Sequence, residues 1–191
     1  MVNAGTINDW FGTPLTNTTV AVDQQYTIDR QLYWDASNGN GPAGGSGTWG
    51  SGMDDWHVGS LTGPLQGWVD GSQAFFAGAP GVVEISNPVT VAAMTFLSDA
   101  YVIEGSPINL APTSVTLSPS DASSTIDVTV GVATIECQIA GVAMTKTGDG
   151  MLALDAANAY ASTIVSAGLL QVQSALALPA GTPLLVKGGI T

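Results

Sequence analysis

Residues 143–172, AMTKTGDGMLALDAANAYASTIVSAGLLQV, decide the fold of this chain. Short alternating apolar segments recur within the stretch, at residues 151–154, 163–166 and 170–172. Each is followed by Gly, Asp, Asn or Ser, residues that let the backbone change direction. Because no interval between these residues is long enough for a helix, the stretch predicts one circuit of a coil built from short β-strands.

The same pattern continues on both sides of this stretch. The further strand candidates are VVEI (82–85), VTVAAMTF (89–96), YVI (101–103), INL (108–110), VTL (115–117), IDVTV (126–130), ATIECQI (133–139), ALAL (175–178) and LLVK (184–187). Taken in threes, these segments recur roughly every 20 to 26 residues, the period at which strand-built repeat folds stack one coil on the next. The spacing therefore predicts a β-solenoid.

Residues 144–172 also resemble a known family. KTGDGMLALDAANAY followed by VSAGLLQV is similar to the passenger-associated transport repeat (autotransporter-associated β-strand repeat) of bacterial autotransporters. The stretch departs from that repeat at residues 155–157, where a Gly is preferred, and at residues 161–163, which replace Gly-Gly-Thr. The resemblance implies a passenger domain that lies outside the cell.

The alternation of apolar residues predicts which side chains form the core. In a parallel coil, each inward position stacks on its counterpart in the next coil. The predicted inward residues are Val89, Val91, Met94, Phe96, Ile126, Val128, Val130, Ile135 and Ile139. The glycines expected at coil corners are Gly131, Gly141, Gly150 and Gly168.

We predict an all-β, right-handed parallel β-helix (β-solenoid) with an N-terminal Trp/Gly-rich capping region. A β-sandwich or jelly roll, which would more often show tight hairpin turns, is the alternative.

Changes in composition divide the chain into three regions. Residues 1–32 form a polar lead-in with two strand candidates, TTVAV (18–22) and YTI (26–28), which would cap the coil stack or be donated to another molecule. Residues 33–80 are rich in Trp and Gly and are expected to form the first coils and loops. Residues 81–191 are expected to form the solenoid coils.

The charge balance limits the partners. Fifteen acidic residues face only three basic ones, for a net charge of −12. Binding to nucleic acid needs patches of Lys and Arg, so nucleic acid and anionic membrane surfaces are excluded as partners. Charged residues are only 9% of the chain, a composition that suits a secreted β protein.

The apolar content of the chain bears on its location. No apolar run is long enough to span a membrane, so direct membrane insertion is not expected. The first residues lack a charged region followed by an apolar one. We therefore expect that the signal peptide of an exported protein has been removed and that Met1 is an artefact of expression. The predicted location is secreted or on the bacterial cell surface.

The Trp/Gly-rich region is the one place where a binding site is expected. An indole ring can stack on a sugar and a carboxylate can accept hydrogen bonds from sugar hydroxyls. The candidate glycan-binding residues are Trp49, Trp56, Trp68, Asp54 and Asp55. The alternative, which we favour, is that the indoles are large apolar plugs that fill the first coils.

No cofactor or metal site is predicted. Asp54, Asp55 and the DASNGNG loop (35–41) cluster oxygen atoms, but their spacing matches no calcium-binding loop. Asx turns, in which Asp35 and Asn38 accept hydrogen bonds from nearby backbone N–H groups, explain the loop without a metal. Cys137 is the only cysteine, so an intrachain disulfide or a thiolate metal site is excluded, and the alternation of ATIECQI predicts that it is buried.

Catalytic residues are not predicted either. His57 is the only imidazole, and no G-x-S-x-G motif occurs. Paired carboxylates for polysaccharide cleavage remain an alternative, but Asp127, Asp149 and Asp155 are better explained as turn and surface residues. We predict that the protein is not an enzyme.

The sequence thus predicts a structural, extracellular β-solenoid: a cell-surface passenger, a stalk or a self-assembling fibre subunit. A carbohydrate-binding adhesin that uses the Trp-rich loops is the alternative, and surface glycans are then its partners. Head-to-tail self-association is a further expectation, because LLVKGGIT (184–191) stops in mid-pattern with no polar cap. TTVAV and YTI of another molecule could add to that edge as a donated strand and propagate a filament.

Overall fold

The computed structural model describes residues 30–50, 52–112 and 122–187. In these ranges no helix occurs, which confirms the all-β prediction. The strands are β1 (Gln31–Trp34), β2 (Gly47–Trp49), β3 (Trp56–Val58), β4 (Leu65–Gln66), β5 (Ser72–Phe76), β6 (Val82–Ile85), β7 (Val89–Phe96), β8 (Tyr101–Gly105), β9 (Ile108–Leu110), β10 (Ser123–Val128), β11 (Val132–Ile135), β12 (Ile139–Gly141), β13 (Ala143–Thr147), β14 (Met151–Leu154), β15 (Ala159–Tyr160), β16 (Thr163–Val165), β17 (Leu169–Val172) and β18 (Leu184–Val186). The strand candidates TTVAV, YTI and VTL lie outside the described residues.

The strands form two sheets in which parallel pairing dominates. The larger sheet has the order β18-β16-β13-β10-β7-β5-β1-β3-β4, with β9, β12 and β15 joined to it in a row through β7. The smaller sheet has the order β17-β14-β11-β8-β6-β2. Among the described strands, only the two pairings made by β3, with β1 and with β4, are antiparallel. A sandwich or jelly roll is built from antiparallel strands, so this pairing argues against that alternative.

Neighbouring strands in each sheet are far apart in the sequence. Ile126 in β10 lies between Met94 and Lys146, which are 32 residues before and 20 residues after it. In the smaller sheet, Thr134 in β11 lies between Val102 and Ala153 in the same manner. Each of these two strands therefore pairs in parallel with one strand that precedes it and one strand that follows it in the chain.

The core follows the predicted alternation. The buried residues among those predicted to point inward are Val89, Val91, Met94, Phe96, Ile126, Val128, Ile135 and Ile139. Val130 is half exposed, and its assignment to the core was wrong, because β10 ends at Val128 and Val130 lies in the turn before Gly131. Cys137 is buried as predicted, and burial raises the pKa of its thiol to about 12.

Several strand assignments need correction. ALAL (175–178) is not a strand: Ala177 N donates to Ser174 O in a turn. ATIECQI is two strands, β11 and β12, separated by a corner at which Glu136 N donates to Ile103 O. The sequence analysis did not predict the short strands β1 to β5, β13 and β15. The alternation of apolar residues in these segments is either too short or interrupted by Gly and Trp.

Two glycines lie close to the backbone of another segment of the chain. Gly141 and Gly148 have positive φ angles of 109° and 74°. A Cβ atom at Gly141 would lie 2.3 Å from the backbone oxygen of Leu110, and one at Gly148 would lie 2.3 Å from that of Val128. Side chains are therefore excluded at these two corners by backbone conformation and by space.

Candidate functional site

The first candidate site is a cluster of four indoles at the start of the described chain, formed by Trp34, Trp49, Trp56 and Trp68 and called here the tryptophan cluster. Trp56 contacts the other three, with ring centroids 5.2 Å from Trp34, 4.9 Å from Trp49 and 4.8 Å from Trp68. Trp49 and Trp68 are 4.7 Å apart. Most of these contacts are edge-to-face or tilted, the arrangement that the quadrupoles of aromatic rings favour.

The tryptophan cluster continues into the core of the sheets. Phe76 contacts Trp49 and Trp56 on one side and stacks on Phe96 on the other, with the two Phe ring centroids 4.9 Å apart. The Tyr101 hydroxyl donates to the backbone oxygens of Ala77 and Ala79, at 2.8 and 2.6 Å. The cluster is thus the first layer of a continuous aromatic core.

Burial differs among the candidate glycan-binding indoles. Trp49 and Trp56 are 0% and 1% exposed, whereas Trp68 is partly buried and its Nε1 donates to Asp70 Oδ1 at 3.0 Å. A sugar cannot stack on a ring that is fully covered by other rings. In this arrangement, direct contact with a glycan through the cluster is open to Trp68 alone.

Two nitrogen donors in this region are buried without an acceptor. Trp49 Nε1 and Gln66 Nε2 make no hydrogen bond in the described structure, whereas Trp34 Nε1 donates to Gly45 O at 2.9 Å. Gln66 lies in β4 opposite Trp56. An unpaired buried donor costs about 1–3 kcal/mol, so the cluster combines large apolar contacts with incompletely satisfied polar groups.

Asp35 organises the loop that follows β1. Its Oδ1 accepts hydrogen bonds from the backbone N and the Oγ of Ser37, at 2.9 and 2.6 Å, and its Oδ2 accepts one from Gly39 N at 2.9 Å. Burial raises the pKa of Asp35, but the hydrogen bonds from Ser37, His57 and Gly39 together outweigh burial, so the pKa lies below its usual value. The predicted Asx turn at Asp35 is therefore confirmed.

His57 forms a buried pair with Asp35. Its Nε2 lies 2.9 Å from Asp35 Oδ2 and its Nδ1 lies 2.6 Å from Gly63 O. Asp35 Oδ2 and Gly63 O are both hydrogen-bond acceptors, so each ring nitrogen of His57 faces an oxygen. Ser37 bonds to Asp35 and not to the ring, so the order of a hydrolytic triad, with the histidine between serine and aspartate, is not formed by these three residues.

The remaining acidic candidates have contrasting environments. Asp54 is exposed, whereas Asp55 is buried. Burial raises the pKa of Asp55, and the charges of Asp35 and Asp54 add to that effect, while a hydrogen bond with the Asn38 side chain opposes it. In the described ranges, no group of three or more His, Cys, Asp or Glu side chains is placed to hold a metal ion.

The second candidate site lies at the opposite end of both sheets and is formed by β17 and β18; we call it the C-terminal edge. β18 ends the larger sheet and β17 ends the smaller one. A cavity of about 400 Å³ opens between them, lined mainly by Val165, Leu169, Leu170, Val172, Leu178, Leu184 and Val186. Leu169, Leu184 and Val186 are 57%, 54% and 60% exposed, so this end of the core is open to solvent.

Comparison with known proteins gives one informative similarity. The chain is 35% identical over 154 residues to the Adhesin BmaC autotransporter of Brucella suis biovar 1 (strain 1330). The chain resembles part of an autotransporter adhesin. The alignment covers 78% of this chain and 4% of that protein, so the similarity concerns a small part of the adhesin. No family model matches the chain. No solved structure matches it either.

This similarity supports the predicted relationship to autotransporter passengers, while the identity of the repeat at residues 144–172 stays a prediction. Sequence reasoning missed the Asp35–His57 pair. The two residues meet because β1 and β3 pair antiparallel, with Tyr33 beside His57. The HV segment of β3 is too short to signal a strand, so no pattern in the sequence indicated that pairing. In the described part of the chain, no helix is suited to cross a membrane.

Proposed function

We propose that this chain forms a right-handed parallel β-solenoid that serves as a structural part of an extracellular passenger or stalk. The observation that carries the proposal is the strand pairing, in which β10 pairs with β7 and β13, and β11 pairs with β8 and β14. Three strands per circuit, each paired with its counterpart one circuit away, are what a solenoid requires. The similarity to an autotransporter adhesin supports a secreted or cell-surface location.

The surface chemistry suits such a role. Outward positions carry Thr and Asp side chains that bond to one another, as in the 2.6 Å hydrogen bond from Thr147 Oγ1 to Asp127 Oδ1. With a net charge of −12, neighbouring rods repel one another and stay in solution without a large charged surface. A rod with inward apolar rows and outward hydroxyl rows needs no ligand to be stable.

We further propose that the protein acts without catalysis. His57 and Asp35, the pair best suited by residue type to acid–base chemistry, are both buried. Their hydrogen bonds hold the loop that follows β1. A substrate would have to displace these bonds to reach either group. The bonds among Asp35, Ser37, Gly39 and His57 support a structural role for the pair.

Antibody labelling of intact cells that produce the protein natively tests the proposed location. We expect labelling by an antibody against the chain, lost after mild protease treatment of intact cells, with a cytoplasmic marker left untouched. Labelling that appears only after permeabilisation would contradict an extracellular role.

Small-angle scattering of the purified protein tests the rod. We expect the pair-distance distribution of an elongated particle, and a symmetric distribution would contradict the rod.

Carbohydrate binding is a second candidate, favoured by the word adhesin in the name of the similar protein. Of the predicted residues, Trp68 and Asp54 are the ones that reach solvent. If the protein binds glycans, Trp68→Ala and Asp54→Asn should each reduce the signal on a glycan array without loss of the β spectrum. A signal that both variants retain would remove these two residues from the proposal.

A further inference from the structure

The loop that follows β1 contains two Asn-Gly steps, Asn38-Gly39 and Asn40-Gly41. In such a step the backbone nitrogen of the glycine can attack the side-chain carbonyl carbon of the asparagine, because glycine has no Cβ atom to hinder the approach. Both asparagines are exposed, so exposure does not distinguish them. Their hydrogen bonds differ, and the difference selects one of the two.

We propose that Asn40 is a site of spontaneous deamidation, whereas the fold protects Asn38. In the first step, Gly41 N forms a bond to Asn40 Cγ, the bond from Cγ to Nδ2 breaks, and ammonia leaves with the proton from Gly41 N. Water then opens the resulting succinimide at either of its carbonyl carbons, which leaves aspartate or isoaspartate at position 40. The reaction needs water and no other reactant, and it does not depend on the proposed function.

The nitrogen that would attack Asn38 is held by a carboxylate. Gly39 N donates to Asp35 Oδ2 at 2.9 Å, and the same oxygen lies 2.9 Å from His57 Nε2. For the attack, Gly39 N must give up its proton, and the negative charge that develops would face the negative charge of Asp35. The Asn38 side chain is also engaged, because it makes a hydrogen bond with the Asp55 side chain. Both reacting groups are therefore restrained.

The nitrogen that would attack Asn40 has a neutral and exposed partner. Gly41 N donates to Ser37 Oγ at 3.0 Å, and the Ser37 hydroxyl donates its own hydrogen to Asp35 Oδ1. The serine hydroxyl thus separates this nitrogen from the carboxylate. The Asn40 side chain is held weakly, since its Nδ2 donates to Asn38 O at 3.3 Å on the surface. This side chain can rotate toward Gly41 N at little cost.

The fold should tolerate the modification. Isoaspartate adds one methylene group to the backbone at position 40, and both products add a negative charge at an exposed position. The bonds that Asp35 accepts hold Ser37 and Gly39, which precede that position. The start of the loop therefore stays anchored, and we expect the modified molecules to stay folded and to accumulate as the protein ages.

Ageing of the folded full chain at mildly alkaline pH, followed by peptide mapping, tests the proposal. Chymotryptic cleavage after Trp34 and Trp49 gives residues 35–49, and fragmentation of that peptide in a mass spectrometer follows the two asparagines separately. We expect Asn40 to convert about tenfold faster than Asn38, the ratio that corresponds to the usual difference between a charged and a neutral hydrogen-bond acceptor. In urea-unfolded protein the two rates should become similar, because both steps are Asn-Gly.

Three variants sharpen the test. Asn40→Gln should abolish the gain of negative charge that isoelectric focusing detects, because the longer side chain closes a ring much more slowly. Asn38→Gln is the matched control and should leave that gain unchanged. Asp35→Asn removes the charge beside Gly39 N and should raise the rate at Asn38 several-fold. If Asp35→Asn does not fold, the comparison of folded and unfolded native chain still decides, since it uses no variant.

Three results would overturn the proposal: no conversion at Asn40 in the folded chain, a rate at Asn38 that equals or exceeds it, or the same ratio of the two rates in folded and urea-unfolded protein. The cell-surface labelling described above is independent of all three. A chain that is exposed on cells and keeps Asn40 intact would overturn the modification and leave the proposed function standing.

Discussion

Residues 31–76 and residues 123–186 contribute strands to the same sheet, yet their cores are built in different ways. The first region packs four indoles against one another through edge-to-face contacts and includes both antiparallel pairings of the described structure. The second pairs short parallel strands one after another, and its inward positions hold single aliphatic residues such as Ile135 beside Leu154, together with the buried Lys146 beside Ile126 and Val165. One core depends on specific side chains, and the other depends on a repeated backbone arrangement.

Substitutions should affect the two regions differently. In the repeating region each side chain has an equivalent in the neighbouring circuits, so a loss at one position is shared by similar contacts above and below. In the tryptophan cluster no contact is repeated, and the first circuits depend on a few large rings. Stability should therefore be concentrated in single residues at one end and distributed along the other.

The largest effect is expected at the centre of the tryptophan cluster. Trp49→Ala removes a fully buried ring that contacts Trp56, Trp68 and Phe76, and should lower the unfolding free energy by about 3–5 kcal/mol. Trp49→Phe should cost clearly less, because it keeps an aromatic ring and removes the unpaired Nε1 donor. Urea denaturation followed by circular dichroism measures both. Equal losses for the two variants would show that the indole itself, and not ring packing, is required.

The next effect compares corner glycines of the two regions. Gly148, with φ of 74°, has a carbonyl oxygen 2.3 Å from the position of an added Cβ, whereas Gly59, with φ of 75°, has open space around it. Gly148→Ala should therefore cost about 2–3 kcal/mol and Gly59→Ala about 1 kcal/mol, since the second pays only for its backbone conformation. Thermal unfolding of both variants checks the order. A greater loss for Gly59→Ala would contradict the close stacking of circuits.

A buried lysine in the repeating region gives a third test. Lys146 is fully buried, and its Nζ donates to the backbone oxygens of Thr147, Gly148 and Ala167, so it ties one circuit to the next. Burial lowers the pKa of Lys146, an effect that the charges of Asp127 and Asp149 oppose. Lys146→Met keeps the length of the side chain but leaves these oxygens without a donor. We expect a loss of about 1–3 kcal/mol by urea denaturation, and an unchanged midpoint would show that the lysine is dispensable.

The smallest effect should have the opposite sign. The pKa of Asp55 is raised in the folded state, mainly by burial, so its contribution to stability is present at low pH and is lost as pH rises through that pKa. Asp55→Asn should therefore raise the melting temperature at pH 7, and the gain should disappear in acid. Asp54→Asn removes the neighbouring charge that adds to this rise in pKa, so it should give a smaller gain in melting temperature than Asp55→Asn. A gain that is independent of pH would exclude titration of Asp55 as its cause.

The repeating region was predictable and the tryptophan cluster was not, for a physical reason. Burial alternates along strands such as β10 and β13, so the alternation of the sequence predicted that Ile126 and Val128 are buried. The sequence also indicated that the indoles act as plugs, since large rings fill space where strands are short. It could not indicate which rings touch, because Trp34 and Trp56 are brought together by the antiparallel pairing of β1 with β3, which leaves no periodic signal in the sequence.

The hydrogen bonds of the candidate site were also only partly predictable from the sequence. Asp35 was expected to accept hydrogen bonds from its own loop, because an Asp before Ser and Gly has nearby N–H groups within reach. Its bond to His57 spans 22 residues and depends on an antiparallel pair that leaves no periodic signal. Val130 was misplaced for a related reason: alternation continues in the sequence beyond the point where the strand ends.

The parallel strands of the larger sheet from β1 to β18 lie in the order in which they occur in the chain, so the distance from β1 grows with the number of strands crossed. Residues 31, 73, 93, 125, 145, 164 and 185 are successive partners across that sheet. Spin labels at Gln31→Cys paired with Thr145→Cys or with Leu185→Cys can be measured by pulsed electron resonance, while the buried Cys137 stays unlabelled.

Four steps separate the first pair and six the second, so the backbone separations predicted are about 19 Å and about 29 Å, at about 4.8 Å per step. The second distance should exceed the first by roughly 10 Å once label length is taken into account. Equal distances, or a shorter one for the pair at residues 31 and 185, would contradict this strand order.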